Sequence, residues 1–198
     1  IALSPIGKVS GAHINPAVTM VFWLFRKIEG RLTSTYILAQ LIGAVVGCLP
    51  LLIWGQMGKS IEFGVTVPGA GYSLPTVLLG EVITTFTMVS LLAIFIGFRQ
   101  IRRFTPFMFP FLYAIMVPLE AAISGTSTNP ARSFGPAVIS GQWEGWWIYL
   151  IGPMTGALLA SIACSFLAKK ITIAKLYHFD SESAGDALLR SANLSVRE

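Results

Sequence analysis

Long uncharged apolar runs, broken by short clusters of Lys and Arg, set the pattern of this 198-residue chain. Tyr36 to Trp54, about Thr76 to Gly97, Thr105 to about Ile123 and Trp146 to Ala168 each read as a helix able to span a bilayer, which takes roughly 20 apolar residues. Pro106, Pro110 and Pro118 do not exclude the third, because neighbouring helices and polar side chains satisfy the carbonyls that proline frees. Two further apolar stretches, from Pro16 to Leu24 or Phe25 and from Pro130 to Ile139, are about half that length. Each follows an Asn, whose side-chain oxygen takes a free N–H of a first helical turn, and each opens on Pro, which fits where no N–H is needed. The pattern therefore predicts half-helices capped by Asn15 and Asn129. Gly55 to Pro75, rich in Gly and Pro, reads as an extramembrane loop. Gly43 and Gly47 in the first span, and Gly152 and Gly156 in the last, have a four-residue spacing that admits a neighbouring helix, although such spacings also arise by chance.

A mean hydropathy of +0.71 with 12% charged residues excludes an ordinary soluble domain, in which about a quarter of residues are charged. The net charge of +5 comes largely from clusters between apolar runs, so it reads as a topology signal and not as a nucleic-acid surface. Alternate crossings put Arg26, Lys27 and Arg31, then Arg99, Arg102 and Arg103, then Lys169, Lys170 and Lys175 on one face, the cytoplasmic one. That holds only if each half-helix enters and leaves by the same side, so the charges argue for re-entrant segments. Cys48 and Cys164 lie far apart without a nearby His, and read as small buried residues with no metal site. Ile1 to Val9 carries no secretory signal and is too short to span. The polar stretch from Lys169 to Glu198 reads as a cytosolic tail.

Helices that end at membrane depth are tolerated only inside protein or beside a water-filled cavity, so a pore is implied. The recurring order of cap, half-helix and span fits an inverted repeat whose site lies where the halves meet. There the positive ends of both helix dipoles repel cations. The amides of Asn15 and Asn129 keep donors to spare for a passing water, turning its oxygen toward them and interrupting the chain along which a proton would hop. Arg132 stands in the first turn of the second half-helix, where the first has Val18. A lone Arg in such a place faces a wet cavity as a cationic gate, or else snorkels to the interface.

The stretches Gly-Ala-His-Ile-Asn-Pro-Ala-Val-Thr, ending at Thr19, and Gly-Thr-Ser-Thr-Asn-Pro-Ala-Arg-Ser-Phe-Gly-Pro-Ala, ending at Ala137, resemble the paired motifs of the aquaporin (major intrinsic protein) family. The succession of apolar segments fits that family from Ile1 to about Ala168. The resemblance implies an all-α membrane protein, an aquaporin-like inverted-repeat helical bundle with two re-entrant half-helices. It implies that the first spanning helix and most of the second are missing. Residues 1–168 form one channel domain and 169–198 the tail. The expected protein is a multi-pass channel of the cell membrane, a homotetramer, passing water and excluding ions, with no cofactor and no nucleic-acid partner. Asn15, Pro16 and Ala17, with Asn129, Pro130 and Ala131, would be its pore motifs. Arg132 and Thr126 would be filter residues. Val117 falls where strict water channels have a filter His, which implies a wider, more apolar filter and leaves glycerol or other small neutral solutes open. Ser133 and Ala137 match the water-channel type, and Tyr149-Leu150 is mixed. By the same resemblance Glu81 holds backbone N–H groups of the second re-entrant loop. Glu120 either braces that loop or reaches interfacial water, and His13 either packs within the first loop or lines the pore as a pH sensor. A chain no longer able to conduct, or a proton-coupled transporter using Glu81 and Glu120, are the competing readings. An intramembrane enzyme is disfavoured, because no His-Glu-x-x-His or comparable acid pair is present.

Overall fold

The computed structural model describes residues 5–171; residues 1–4 and the expected tail beyond Ile171, with Lys175, lie outside the described residues. Every regular element among the described residues is helical. They are α1 Pro5–Ser10, α2 Pro16–Leu24, α3 Gly30–Ile53, α4 Gln56–Ser60, α5 Leu74–Gly97, α6 Arg99–Arg102, α7 Thr105–Ser124, α8 Pro130–Ser140 and α9 Ile148–Ala163, with short tight turns at Glu62–Gly64 and Ser165–Leu167.

Among the described residues three helices, α3, α5 and α7, are long and apolar enough to cross a membrane. At about 1.5 Å per residue, the 24 residues of α3 or α5 exceed the hydrocarbon thickness of a bilayer. α3 begins at Gly30 rather than Tyr36. The hydroxyls of Thr33, Ser34 and Thr35 donate to the carbonyls of Glu29, Gly30 and Arg31, so this polar turn satisfies itself and runs on as helix. α7 continues through Pro110 and Pro118. α9 is shorter than the expected last span: Trp146 and Trp147 lie in the turn before it, and beyond Ala163 the chain tightens into the turn at Ser165–Leu167. The expected loop from Gly55 to Pro75 contains α4 and the turn at Glu62–Gly64.

The most extensive helix–helix contact among the described residues joins α5 to α9. A Cβ on Gly156 would stand 2.5 Å from the Val82 carbonyl oxygen, and one on Gly152 would stand 2.7 Å from the Glu81 Cβ. Only the missing side chains let these backbones approach so nearly. Gly43 and Gly47 meet nothing within 4 Å, so the same spacing in α3 packs against no described element. α8 lies on α3 through Gly135, where a Cβ would fall 2.5 Å from the Ala44 oxygen. The core gathers Val21 and Phe22 of α2, Met88, Leu92 and Ile96 of α5, and Ala157 and Ala160 of α9. Outward-facing apolar residues are extensive, among them Phe111 and Leu119 of α7, 71% and 75% exposed. Such surface suits lipid contact and not water. Cys164 is buried, whereas Cys48 on the open face of α3 is only half-buried, which corrects the reading of both as buried.

Candidate functional site

The two Asn-Pro-Ala stretches fold alike. Ahead of Asn15 the backbone turns left-handed at Gly11 (φ 79°) and Ala12 (φ 50°), and ahead of Asn129 it does so at the matching positions, Gly125 (φ 84°) and Thr126 (φ 50°). Glycine takes the first of these places without steric cost. The chain then enters α2 and α8. Asn15 Oδ1 accepts from the Ala17 N–H at 2.9 Å, and Asn129 Oδ1 from the Ala131 and Arg132 N–H groups at 3.0 and 3.3 Å.

The two tips are tied to each other. Asn15 Nδ2 donates to the Thr128 carbonyl at 2.9 Å, and Asn129 Nδ2 donates to the Ile14 carbonyl at 2.9 Å. Each amide carries two hydrogens, so each keeps one beyond this crossed pair. Both side chains line a cavity of about 180 Å³, walled also by Val18, Met88, Phe109 and Tyr113.

Each loop has its own brace. Glu81 on α5, fully buried, accepts with Oε1 from the Ser124 hydroxyl (2.6 Å) and the Ser127 N–H (2.7 Å), and with Oε2 from the Thr128 N–H (2.8 Å). Thr128 is held at φ 53°, an uncommon conformation for a β-branched residue. Its hydroxyl pairs with that of Tyr113 at 2.6 Å. On the other side Gln40 of α3 donates to the His13 carbonyl and, at 2.8 Å, to the Thr19 hydroxyl. Tyr36 donates to the Ser10 carbonyl. The buried His13 ring packs between Phe22 and Tyr36, with ring centroids 4.4 and 5.0 Å away, and does not line the Asn cavity.

Arg132, exposed on the first turn of α8, donates through Nη1 to the Gly64 carbonyl at 2.6 Å. Thr126 is buried, and its hydroxyl has no hydrogen-bond partner among the described residues. Val117 is 43% exposed on α7. Neither lines the Asn cavity. Glu120 corrects both expectations for it: the side chain is only 7% exposed, yet among the described residues neither oxygen has a hydrogen-bond partner. It neither braces the loop nor reaches out to water, and lies against Gly80, where a Cβ would come within 2.6 Å of its Oε1.

Gln40, Tyr113 and the Gly64 carbonyl escape a reading of the sequence. Gln40 carries a faint signal as the one amide side chain in the run from Tyr36 to Trp54. Tyr113 has only its hydroxyl within an apolar run, and a backbone carbonyl has no signal at all.

A family model described as Major intrinsic protein matches residues 1–164. The chain is 36% identical over 174 residues to Aquaporin AqpM of Methanothermobacter marburgensis, across 83% of this chain and 71% of that protein. It is 35% identical over 155 residues to Nodulin-26 of Glycine max, across 77% and 56%. With Aquaporin-4 of Homo sapiens it is 37% identical over 162 residues, across 78% and 48%. The chain thus spans about half of some curated relatives and about seven-tenths of others. The solved structure of the aquaglyceroporin from Plasmodium falciparum has a similar fold, with a TM-score of 0.64 at 22% identity, across 82% of this chain and 74% of that one.

Proposed function

The chain belongs to the major intrinsic protein family, whose members are multi-pass membrane channels and not enzymes, and we propose that it conducts water passively while excluding ions and protons. The observation that carries this reading is the crossed pair of Asn amides at the cavity, each keeping one free hydrogen. In this reading α2 and α8 are the re-entrant half-helices of an inverted repeat, meeting at mid-membrane. A water that accepts from both amides points its hydrogens outward in both directions and cannot pass a proton along the file. The positive ends of both helices, each equivalent to roughly half an elementary charge, repel cations, the role half-helix dipoles play in aquaporin-type channels. Pro16, Ala17, Pro130 and Ala131 start the two helices at the depth that puts the amides in the file.

Arg132 serves as the cationic gate of the filter, steadied by the Gly64 carbonyl and keeping its other guanidinium donors for solute. Thr126 and Val117 supply further filter positions. Glu81 fixes the second loop, and His13 packs the first. The basic clusters mark the cytoplasmic face, and the assembly is a homotetramer in the cell membrane. A second reading, passage of glycerol or other small neutral solutes, is favoured by one observation: Val117 offers no hydrogen bond and leaves its face of α7 partly open.

Stopped-flow light scattering of proteoliposomes tests both readings. Under a sucrose gradient the reconstituted chain is expected to shrink vesicles faster than empty controls. Arg132→Val is expected to raise glycerol uptake while sparing water flux. Rapid glycerol re-swelling by the unmodified chain favours the second reading, and water flux no faster than empty vesicles overturns both.

A further inference from the structure

Between α4 and α5 the chain makes a turn that its own residues resist. Glu62, Phe63 and Gly64 follow one another at φ 49°, 54° and 75°. Glycine takes such angles freely, whereas either of the other two is disfavoured there by a factor of roughly five to thirty. The turn closes through the Gly64 N–H to the Ile61 carbonyl at 2.8 Å and the Val65 N–H to the Glu62 carbonyl at 3.1 Å. Strain of this kind persists only where surrounding contacts over-determine it. Those contacts lead to the filter. The Gly64 carbonyl accepts from Arg132 Nη1 at 2.6 Å, and a charged donor makes one of the stronger hydrogen bonds. Two residues on, the buried Thr66 pairs its hydroxyl with that of Ser133, the next residue of α8, at 2.6 Å. Thr66 also lies against Gly125, where a Cβ would come 3.2 Å from its Cγ2, and Gly125 precedes Thr126. On the far side Phe63 rests on Gly58 of α4, where a Cβ would come 3.1 Å from its ring.

We propose, resting on the reading of Arg132 as the cationic gate, that Glu62, Phe63 and Gly64 are positioning residues of the filter. Their strained turn holds the guanidinium in one place, and its tightness sets how large a neutral solute passes. The tie is reciprocal: the bond that fixes the arginine also holds the turn against its strain, so loosening either end releases the other. A held guanidinium is a fixed wall of the passage, and a released one swings aside for a solute the size of glycerol. Gly64 and Glu62 allow the tightness to be moved in both directions. A Cβ at Gly64 would meet nothing within 4 Å, so a substitution there acts through the backbone alone. Alanine at its φ of 75° makes the closed turn at least about fivefold rarer. Glycine in place of Glu62, at φ 49°, removes strain and makes it about fivefold more populated.

Hydrogen–deuterium exchange of the segment from Ile61 to Thr66, read by mass spectrometry in nanodiscs and corrected for intrinsic rates, tests the tie. The Gly64 and Val65 amides, both bonded within the turn, exchange as it opens. Gly64→Ala and Arg132→Val are each expected to speed that exchange about fivefold, and Glu62→Gly to slow it about fivefold. Glu62→Gly combined with Gly64→Ala returns it near the unmodified rate. Shrinkage and re-swelling of proteoliposomes, measured on the same variants, read the consequence. The ratio of glycerol to water permeability rises in Gly64→Ala and comes back in the double variant, a rescue that general damage to the fold does not show. Exchange unmoved by Arg132→Val overturns the proposal. So does a permeability ratio that stays level in Gly64→Ala while its exchange quickens. Absence of water flux from the unmodified chain defeats the channel reading alone, and the exchange of Arg132→Val and Gly64→Ala still upholds or overturns the tie between turn and arginine.

Discussion

Replacing Glu81 with Gln removes one acceptor from the second loop while keeping the shape of the side chain. The amide oxygen can still accept from Ser124 and Ser127, but an NH₂ group now faces the Thr128 N–H, which the carboxylate accepted at 2.8 Å. A hydrogen bond to a charged group stabilises by about 1.5–3 kcal/mol. Against it stands the left-handed Thr128, whose φ of 53° costs a non-glycine residue about 1–2 kcal/mol. The loop is thus held by a margin of about 1 kcal/mol, roughly five to one, and losing the bond turns this into about one to ten. A released Thr128 withdraws the carbonyl that Asn15 donates to, which spoils the crossed pair. The conducting fraction then falls from roughly 85% to 10%, so water permeability per reconstituted molecule drops about eightfold. Stopped-flow shrinkage, normalised to protein content, measures it. Adding Thr128→Gly restores part of the loss, because glycine takes the same φ freely, although Tyr113 forfeits its hydroxyl partner. Permeability of Glu81→Gln within about twofold of the unmodified chain, or no recovery in the double variant, refutes the reasoning.

Asn129→Asp retains an acceptor for the first turn of α8 but loses the donor to the Ile14 carbonyl and brings a negative charge to the pore. It is expected to lower the melting temperature little and to admit protons or sodium, read with a pH-sensitive dye or a sodium indicator inside vesicles. Gly156→Val drives a side chain into the Val82 backbone and is expected to destabilise by about 1–3 kcal/mol in a thermal-unfolding assay. Gly47→Ala meets open space and is expected to be neutral or to stabilise by up to about 1 kcal/mol in the same assay.

What could be read from the sequence is what local chemistry decides. α2 and α8 start at Pro16 and Pro130, where the Asn-Pro pairs place them, because a cap and a proline act within one turn. α7 starts at Thr105 as its apolar run does. The start of α3 was hidden because its polar first turn bonds to itself, so a hydropathy boundary falls late. The two glycine pairs look identical in sequence and differ in the structure. Only α9 has a helix lying on its glycines, and no spacing within one segment can report whether a neighbour is there. Gln40 and Gly64 were missed for the same reason, since each acquires its partner only when distant elements meet.

The braces reveal an asymmetry that the repeated motif conceals. The first loop presents a carbonyl, that of His13, and Gln40 answers with an amide donor. The second presents two N–H groups and a serine hydroxyl, and Glu81 answers with a carboxylate. A buried negative charge is costly in the half that lacks a cation and compensated in the half that carries one. Arg132 stands in the half braced by Glu81, and Val18 in the half braced by Gln40. The brace and the first-turn residue are therefore balanced in each half: a carboxylate with a guanidinium, a neutral amide with a valine. Glu81→Gln disturbs both the loop and this balance, whereas adding Thr128→Gly relieves the backbone without returning the charge. The part of the water flux that glycine rescues measures the loop, and the part it leaves lost, beyond the missing Thr128 hydroxyl, measures the carboxylate.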